Sequence, residues 1–417
     1  MPEFGISLQN GHGAPVAGVT IRLQVSSTST PILASTDSSG SARWKVAKAG
    51  SRARVEVSPI AGHWSIADSW DMTVTPNRQF RVSPLTAAQS GLGWWHRAVR
   101  WTRSRGANGN GIKIGVIDTG CGPHPALSHV QALGTFIDNE HTEGIDDDGE
   151  HGSHVCGIIA ARPSSWERFI GMAPEAEIIV ARVSRPGRYA NQANIADALD
   201  AMVDRGVHLV NLSLAASEPS RSLIDSIANA WIHGVVCFAA AGNLGGDVLW
   251  PAKHELVVAV TALGRTAEVS EGSLGHLLLE GCGNLDNTND FVFPNFCSRG
   301  PSVNCCAPGV GIISTLRTTD RSSPGHWGDM SGTSMASPLA LGVLAAVLSS
   351  DLEFVNMPSD ESRAKHAVEV LRNQCMPLAL NEDCQGDGLP MLDLGFQARA
   401  ERFCHWQFGA IEVKYKE

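Results

Sequence analysis

With 417 residues, 32 lysines and arginines against 42 aspartates and glutamates, and a formal net charge of −10, the chain has room for one large unit and a smaller one, or for two comparable ones, and shows no basic run for nucleic acid or an anionic membrane. Hydrophobic residues at 43% and charged residues at 18% are the balance of a folded globular protein and exclude a disordered one. The opening MPEFGISLQNGHGAPVAG shows no basic stretch leading into an apolar one, so no secretory signal is read there. The longest apolar run, within 335–348, is too short for a membrane span and is broken by Ser337, Pro338 and Gly342.

Ten cysteines, at 121, 156, 237, 282, 297, 305, 306, 375, 384 and 404, form no C-x-x-C pair of metal-binding type, and Cys156 and Cys237 lie in apolar surroundings that read as buried thiols. Together with the missing signal this predicts reduced cysteines and a cytoplasmic protein, with secretion left open.

Residues 1–86 alternate short β-rich runs with turn signals: 18–25, 31–37, 40–46, 51–59, 70–76 and 79–85. That spacing predicts a small antiparallel β-sandwich. The succession PVAGVTIRL, STDSSGSARWKV and RVEVSP loosely resembles transthyretin-like or carboxypeptidase-regulatory-like β domains, a likeness that carries no catalytic motif. A linker is read at 87–91, within SPLTAAQSG.

From residue 92 to the end the pattern changes to alternating strands and helices, a second domain spanning 92–417. The stretch LGWWHRAVRWTRSRG (92–106) reads as a helix stopped by glycine and followed by the apolar strand IKIGVI (112–117). Further strands are expected at 178–183, 207–214, 235–241 and 256–262, with amphipathic helices at 194–205 and 221–233 between them. Nearly continuous apolar strands separated by such helices specify an α/β fold, a parallel sheet covered by helices on both faces. Ligands then belong at the carboxyl ends of the strands.

Four candidate groups fall at those ends. Asp118 directly follows the strand at 112–117; HGSHVCG (151–157) offers His151 and His154 after the acidic loop DDDGE (146–150); FAAAGN (238–243) delivers the side-chain amide of Asn243; and SGTSMASPLALGVLAAVLS (331–349) sets Ser334 just before an apolar helix that admits Pro338 in its first turn. Each is ordinary alone: an aspartate or asparagine turns a chain, and serines cap helices. Two histidines at i and i+3 are a metal-ligand spacing, but no third ligand or H-E-x-x-H pattern accompanies them. Taken together, a carboxylate, an imidazole, an amide donor and a serine at a helix N-terminus are the parts that nucleophilic acyl transfer requires.

Their order, Asp118, His151, Ser334, excludes the α/β-hydrolase arrangement. VIDTG, HGSHVCG, AAGN, FCSRGP (296–301), CCAPGVGIIST (305–315) and SGTSMASP (331–338) resemble the successive motifs of the subtilases, a likeness reaching from about residue 92 to GDGLPMLDLGFQA (386–398). The resemblance implies a serine endopeptidase with Ser334 as nucleophile, His151 as general base, Asp118 as its orienting partner, and Asn243 with the Ser334 backbone N–H as oxyanion hole. His154 takes a supporting place. Substrate would lie as an added strand between VSRPGRY (183–189) and SLAA (213–216), touching Ser184, Arg185, Gly187, Ser213, Leu214, Ala215, Ala216 and Gly242. No cofactor is required; structural calcium is common in the family, with DDDGE or DNTND (286–290) as the acidic candidates.

Several positions depart from the family pattern. Ala215 stands where glycine is usual and predicts a narrow pocket before the cut; Arg185 and Arg188 either favour acidic side chains or merely solubilise; Leu339 replaces a common histidine; Cys121 and Cys156 bring thiols near the site. The segment 264–295 has no placed family counterpart and is read as a rim loop or a surface for a protein partner; residues 1–86 do not follow the ferredoxin-like pattern of the family's propeptides and are read as a domain that binds substrate or a protein partner or folds back as a regulator, with a cleaved prosegment left open. The rival reading is a partner-docking scaffold that keeps the fold, which an intact set of Asp, His, Asn and Ser argues against.

Overall fold

A computed structural model describes residues 3–26, 31–45, 52–71, 75–85, 91–102, 108–138, 140–165, 168–185, 190–283, 291–318 and 326–392. Seven strands come first: β1 (Glu3–Asn10), β2 (Thr20–Val25), β3 (Ile32–Ser35), β4 (Ser41–Lys45), β5 (Ala53–Val57), β6 (Ile66–Trp70) and β7 (Asn77–Val82). They form two sheets, ordered β4-β1-β7 and β3-β2-β5-β6, over one shared apolar cluster. The expected antiparallel pattern holds except that β1 and β7 run parallel. Strand β1 escapes the sequence reading altogether, yet Phe4, Ile6 and Leu8 alternate inward from it. Burial of each stabilises by roughly 1.5–3 kcal/mol. Of the strand expected at 70–76, Trp70 ends β6 and residues 72–74 lie outside the described set; the Trp70 indole N–H donates to the Thr75 carbonyl at 2.8 Å.

The larger body contains, in order, α1 (Trp94–Ala98), β8 (Lys113–Asp118), β9 (Gln131–Ile137), β10 (Glu140–Thr142), α2 (His151–Ala160), β11 (Glu177–Arg182), α3 (Gln192–Asp204), β12 (Leu209–Leu212), α4 (Arg221–Ile232), β13 (Val236–Ala240), β14 (Val257–Arg265), α5 (Leu274–Leu279), β15 (Phe291–Val292), β16 (Val303–Pro308), β17 (Ile312–Leu316), β18 (His326–Met330), α6 (Thr333–Leu348), α7 (Leu352–Asn356) and α8 (Glu361–Gln374). Its sheet runs β10-β9-β11-β8-β12-β13-β14, with β16 also on β14; only β10 and β15 are antiparallel. Helices α2 and α6 pack together on one face and α3 and α4 on the other. Consequently the carboxyl ends of β8, β12 and β13 and the N-termini of α2 and α6 meet along one edge. No helix among the described residues is long and apolar enough to cross a membrane.

The helix expected over 92–106 is only five residues long. Arg100 turns the chain with φ 56, because the stretch buries residues on opposite sides: His96 accepts the Gly93 N–H, while the Trp101 indole donates to the Met172 carbonyl at 2.7 Å. Residues 103–107 lie outside the described set. The segment 264–295, read as a surface for a partner protein, extends β14 to Arg265, adds α5 and returns as β15 against β14; residues 284–290, including DNTND, lie outside the description.

Candidate functional site

Asp118 closes β8, and its side chain is 3% exposed. Its Oδ1 accepts the Thr119 N–H at 2.7 Å and faces His151 Nδ1 at 2.7 Å, while Oδ2 is buried without a partner. A carboxylate only accepts, so Nδ1 carries the proton and Nε2 is left with its lone pair on the half-exposed side of the ring. Burial lowers the His151 pKa, but the charge and hydrogen bond of Asp118, with the charge of Asp147, outweigh it and raise it overall. The loop after Asp118 lies hard against α2. Thr119 Oγ1 accepts the Gly152 N–H at 2.8 Å, and a Cβ on Gly152 would stand 2.1 Å from the Gly120 carbonyl, so only glycine fits there.

His154, the rival base, is buried and points away. Its Nε2 reaches the carbonyls of Ile312 at 3.0 Å and Gly328 at 3.1 Å, and burial, helped by His151, pulls its pKa down to about 3. It is a neutral ring that ties α2 to the hairpin β17–β18. Strand β17 binds the same helix along its length: Ser314 Oγ donates to the His154 carbonyl and Thr315 Oγ1 to that of Ser153, both at 2.7 Å.

The acidic loop DDDGE is fully engaged in such ties. Asp147 accepts from the Gly149 N–H and from both the N–H and hydroxyl of Ser153; Asp146 and Asp148 pair with Arg317, and Asp148 also with Arg182; Glu150 accepts the Arg317 N–H. Carboxylates committed to N–H, hydroxyl and guanidinium donors do not fit a calcium site, and among the described residues no cluster of three or more such ligands stands as one.

Glu150 precedes His151 in a left-handed conformation, φ 65, and burial pushes its carboxyl up to about 7 against the lowering by the Arg317 N–H. A carboxyl raised in the folded state stabilises only while protonated, so this contribution falls as pH rises from about 4.5 to 7. Glu150→Gln, made in a Ser334→Ala background to stop autolysis, should therefore gain about 3 kcal/mol above pH 8 and nothing near pH 4.5. Thermal unfolding across that range checks it; an equal gain at both ends would contradict the burial argument.

Helix α6 begins at Thr333, so Ser334 is its second residue and not the residue before it. Pro338 is accordingly the sixth helical residue, outside the first turn, and its position has a consequence. A residue there would normally donate its N–H to the Ser334 carbonyl, and proline has none. Ser213 Oγ fills the gap, donating to that carbonyl at 2.7 Å, and is itself held by Asn211 Nδ2 at 2.9 Å, whose Oδ1 accepts the Ser337 hydroxyl at 2.8 Å. The Ser213 side chain thus faces the helix. The Ser334 hydroxyl reaches the Ser213 carbonyl at 3.5 Å and makes no hydrogen bond to His151; such bonds commonly tighten only when substrate is bound.

Asn243 follows β13 by three residues and lies on the same helix start. Its Oδ1 accepts both the N–H and the hydroxyl of Thr333 at 2.9 Å, so Nδ2 faces the other way, 3.1 Å from where a Cβ on Gly332 would be. Gly242 is buried, its N–H on Thr333 Oγ1 at 3.2 Å. Ala215 is exposed, and Ala216 exchanges two backbone hydrogen bonds with Trp250 at 2.7 and 3.0 Å. Beside that bridge Leu249, whose N–H bonds the Ala241 carbonyl, lies so close to Gly242 that a Cβ there would stand 2.9 Å from its side chain. Leu214 packs half-buried on the core. Arg185 is exposed and stands 3.7 Å from Asp138. Ser184 carries a carbonyl on Arg182 Nε at 3.4 Å, while Gly187 and Arg188 lie outside the described residues. Cys121 and Cys156 face each other across the 118–122 loop and α2; that hydrogen bond, then burial, holds the Cys156 thiol well above its ordinary pKa. Leu339 is fully buried in the apolar core.

A family model described as the subtilase family, peptidase S8, matches residues 109–367, which is 259 of the 417 residues. The chain belongs to the subtilase family. It is 32% identical over 246 residues to the M-protease of Shouchella clausii and 31% identical over 246 residues to subtilisin Savinase of Lederbergia lenta, in each case over 58% of this chain. These matches span 56% of the first relative and 78% of the second. Among solved structures it resembles fervidolysin of Fervidobacterium pennivorans, a keratinolytic enzyme related to subtilisin, at 25% identity and a TM-score of 0.57, over 74% of this chain and 46% of that one. The subtilase match begins after α1, so it does not extend to the N-terminal sheets.

Proposed function

We propose that this subtilase is a serine endopeptidase that cleaves peptide bonds through an acyl-enzyme. The observation that carries the reading is the 2.7 Å contact of His151 Nδ1 with buried Asp118, which leaves Nε2 as the free base on the edge where the first turn of α6 carries Ser334. In this reading His151 takes the Ser334 proton, Asp118 holds the tautomer and stabilises the imidazolium, and the tetrahedral oxyanion is met by Asn243 Nδ2 and the Ser334 N–H. That N–H is among the first four of α6, which no helical carbonyl can satisfy. Labelling by a fluorophosphonate, lost on Ser334→Ala, tests the activity; an unlabelled wild type would leave the scaffold reading standing. The division of the chain near 86–91 rests on the separate apolar cluster of the N-terminal sheets. A reducing compartment is supported by nine free thiols among the described residues.

Substrate class follows from the pocket. In this reading Ala215 and Ala216 on one side and Gly242 on the other border the residue before the cut, and Leu249, whose side chain lies against Gly242, forms the floor. Small side chains, alanine or serine, are therefore expected before the cut. Leu249→Gly should raise kcat/KM for a phenylalanine peptide relative to an alanine peptide by about 10²-fold, the upper range of hydrophobic pocket discrimination. A wild type that already cleaves after bulky aromatics best would refute this.

A further inference from the structure

The seam between the N-terminal sheets and the larger body is built around a buried charge. Asp329, in β18, is 1% exposed; its Oδ1 accepts the Ser65 N–H at 2.7 Å, Ser65 Oγ donates to its carbonyl at 3.1 Å, and Oδ2 has no partner. Burial pushes this carboxyl up to about 6, against the lowering by Ser65. Around the pair, the Gly62 N–H donates to the Trp327 carbonyl and the Leu274 N–H, at the start of α5, to that of Ser65, both at 2.7 Å. Trp64 belongs to the apolar cluster of the larger body, against Gly311. A buried carboxylate persists only where donors meet it, and here the donor comes from the loop before β6. Both segments without a family counterpart, the N-terminal sheets and the 264–295 insertion, thus meet each other at Ser65.

The seam lies one step from the chemistry on two sides. Strand β18 runs from Asp329 through Met330 into residues 331–334, where the Gly332 N–H is held by the Gly309 carbonyl at 2.7 Å and Ser331 Oγ by the Gly311 N–H at 2.9 Å. The Gly328 carbonyl, next to Asp329, accepts from His154 on the helix that starts with His151. We propose that residues 59–65 are a permanent clamp on the β17–β18 hairpin, that Ser65 and Asp329 are positioning residues for Ser334 and α2, and that the N-terminal sheets are a working part of the enzyme and not a segment discarded on maturation. The kinetic consequence rests on the endopeptidase reading; the clamp itself does not.

Three full-length proteins test it: wild type, Ser65→Asp, which sets a second carboxylate against Asp329, and Ser65→Asp with Asp329→Asn, which removes the repulsion. In Ser65→Asp, hydrogen exchange over 326–334 and 150–160 should rise about tenfold or more, while β13 and β14 stay protected. Turnover of a small chromogenic peptide should lose about tenfold in kcat with KM nearly unchanged, as expected when reacting groups are misplaced and binding is not. Adding Asp329→Asn should restore most of both. Should Ser65→Asp unfold β13 and β14 as well, Ser65→Ala, which keeps the N–H, must still show faster exchange confined to 326–334. Unchanged exchange and kcat, or recovery of fully active enzyme whose sequenced N-terminus has lost residues 1–86, would overturn the clamp. A wild type without turnover would instead sink the endopeptidase reading, and the exchange comparison would still decide the clamp.

Discussion

Replacing Ser334 with alanine is expected to lower kcat on a peptide substrate by about 10⁶-fold, the scale known for subtilisin, with KM within a few-fold of wild type. The change should be nearly silent in stability. The Ser334 hydroxyl makes one hydrogen bond, at 3.5 Å to the Ser213 carbonyl, whereas the features that hold the helix start are the Ser334 carbonyl on Ser213 Oγ and Asn243 on Thr333, none of which alanine removes. A catalytic loss of many kcal/mol beside an unfolding change of less than about 1 kcal/mol is the signature of a nucleophile and not of a structural serine. In the proposed mechanism Ser334 and His151 act as one unit, so His151→Ala on top of Ser334→Ala should cost almost nothing further. Turnover near wild type in Ser334→Ala, or a second large loss in the double variant, would remove Ser334 from the reaction.

The groups in the candidate site were legible because each ends a strongly patterned element. Asp118 closes an apolar strand, Asn243 follows another, His151 opens α2 and Ser334 is the second residue of α6, so the strand-and-helix pattern, joined to the order of the motifs, pointed to one edge. What was illegible depends on contacts between distant segments. Leu249 lies 33 residues past Ala216 and becomes a pocket residue only through the Ala216–Trp250 bridge, which no local periodicity announces. Pro338 read as a first-turn proline because helix starts are uncertain by a residue or two; its effect, freeing the Ser334 carbonyl for Ser213, needs β12 beside α6. The Ser65–Asp329 pair joins residues 264 positions apart. Strand β1 is a different case: Phe4, Ile6 and Leu8 alternate in the sequence itself, so its signal is local.

Asn243→Ala should lower kcat by about 10²–10³-fold, or about 2.7–4 kcal/mol of transition-state stabilisation, and leave KM little changed, because the oxyanion exists only after attack. The orientation of the amide makes this a sharp expectation. The Thr333 backbone N–H can only donate, so the oxygen of Asn243 must face it, and the NH₂ faces away from Thr333, where the proposed mechanism needs a donor. Asn243→Asp keeps the acceptor on Thr333 but sets a carboxylate oxygen where the donor was, and it should be more damaging than alanine. Thr333→Val, which removes the hydroxyl and keeps the N–H, should cost less than either. Gly332→Ala should mimic them with Asn243 itself unchanged, since its Cβ would press on Nδ2 from 3.1 Å and turn the donor aside. If the four variants instead rank by their loss of stability, or if Asn243→Ala raises KM with kcat intact, the amide binds ground-state substrate and the oxyanion must be stabilised elsewhere.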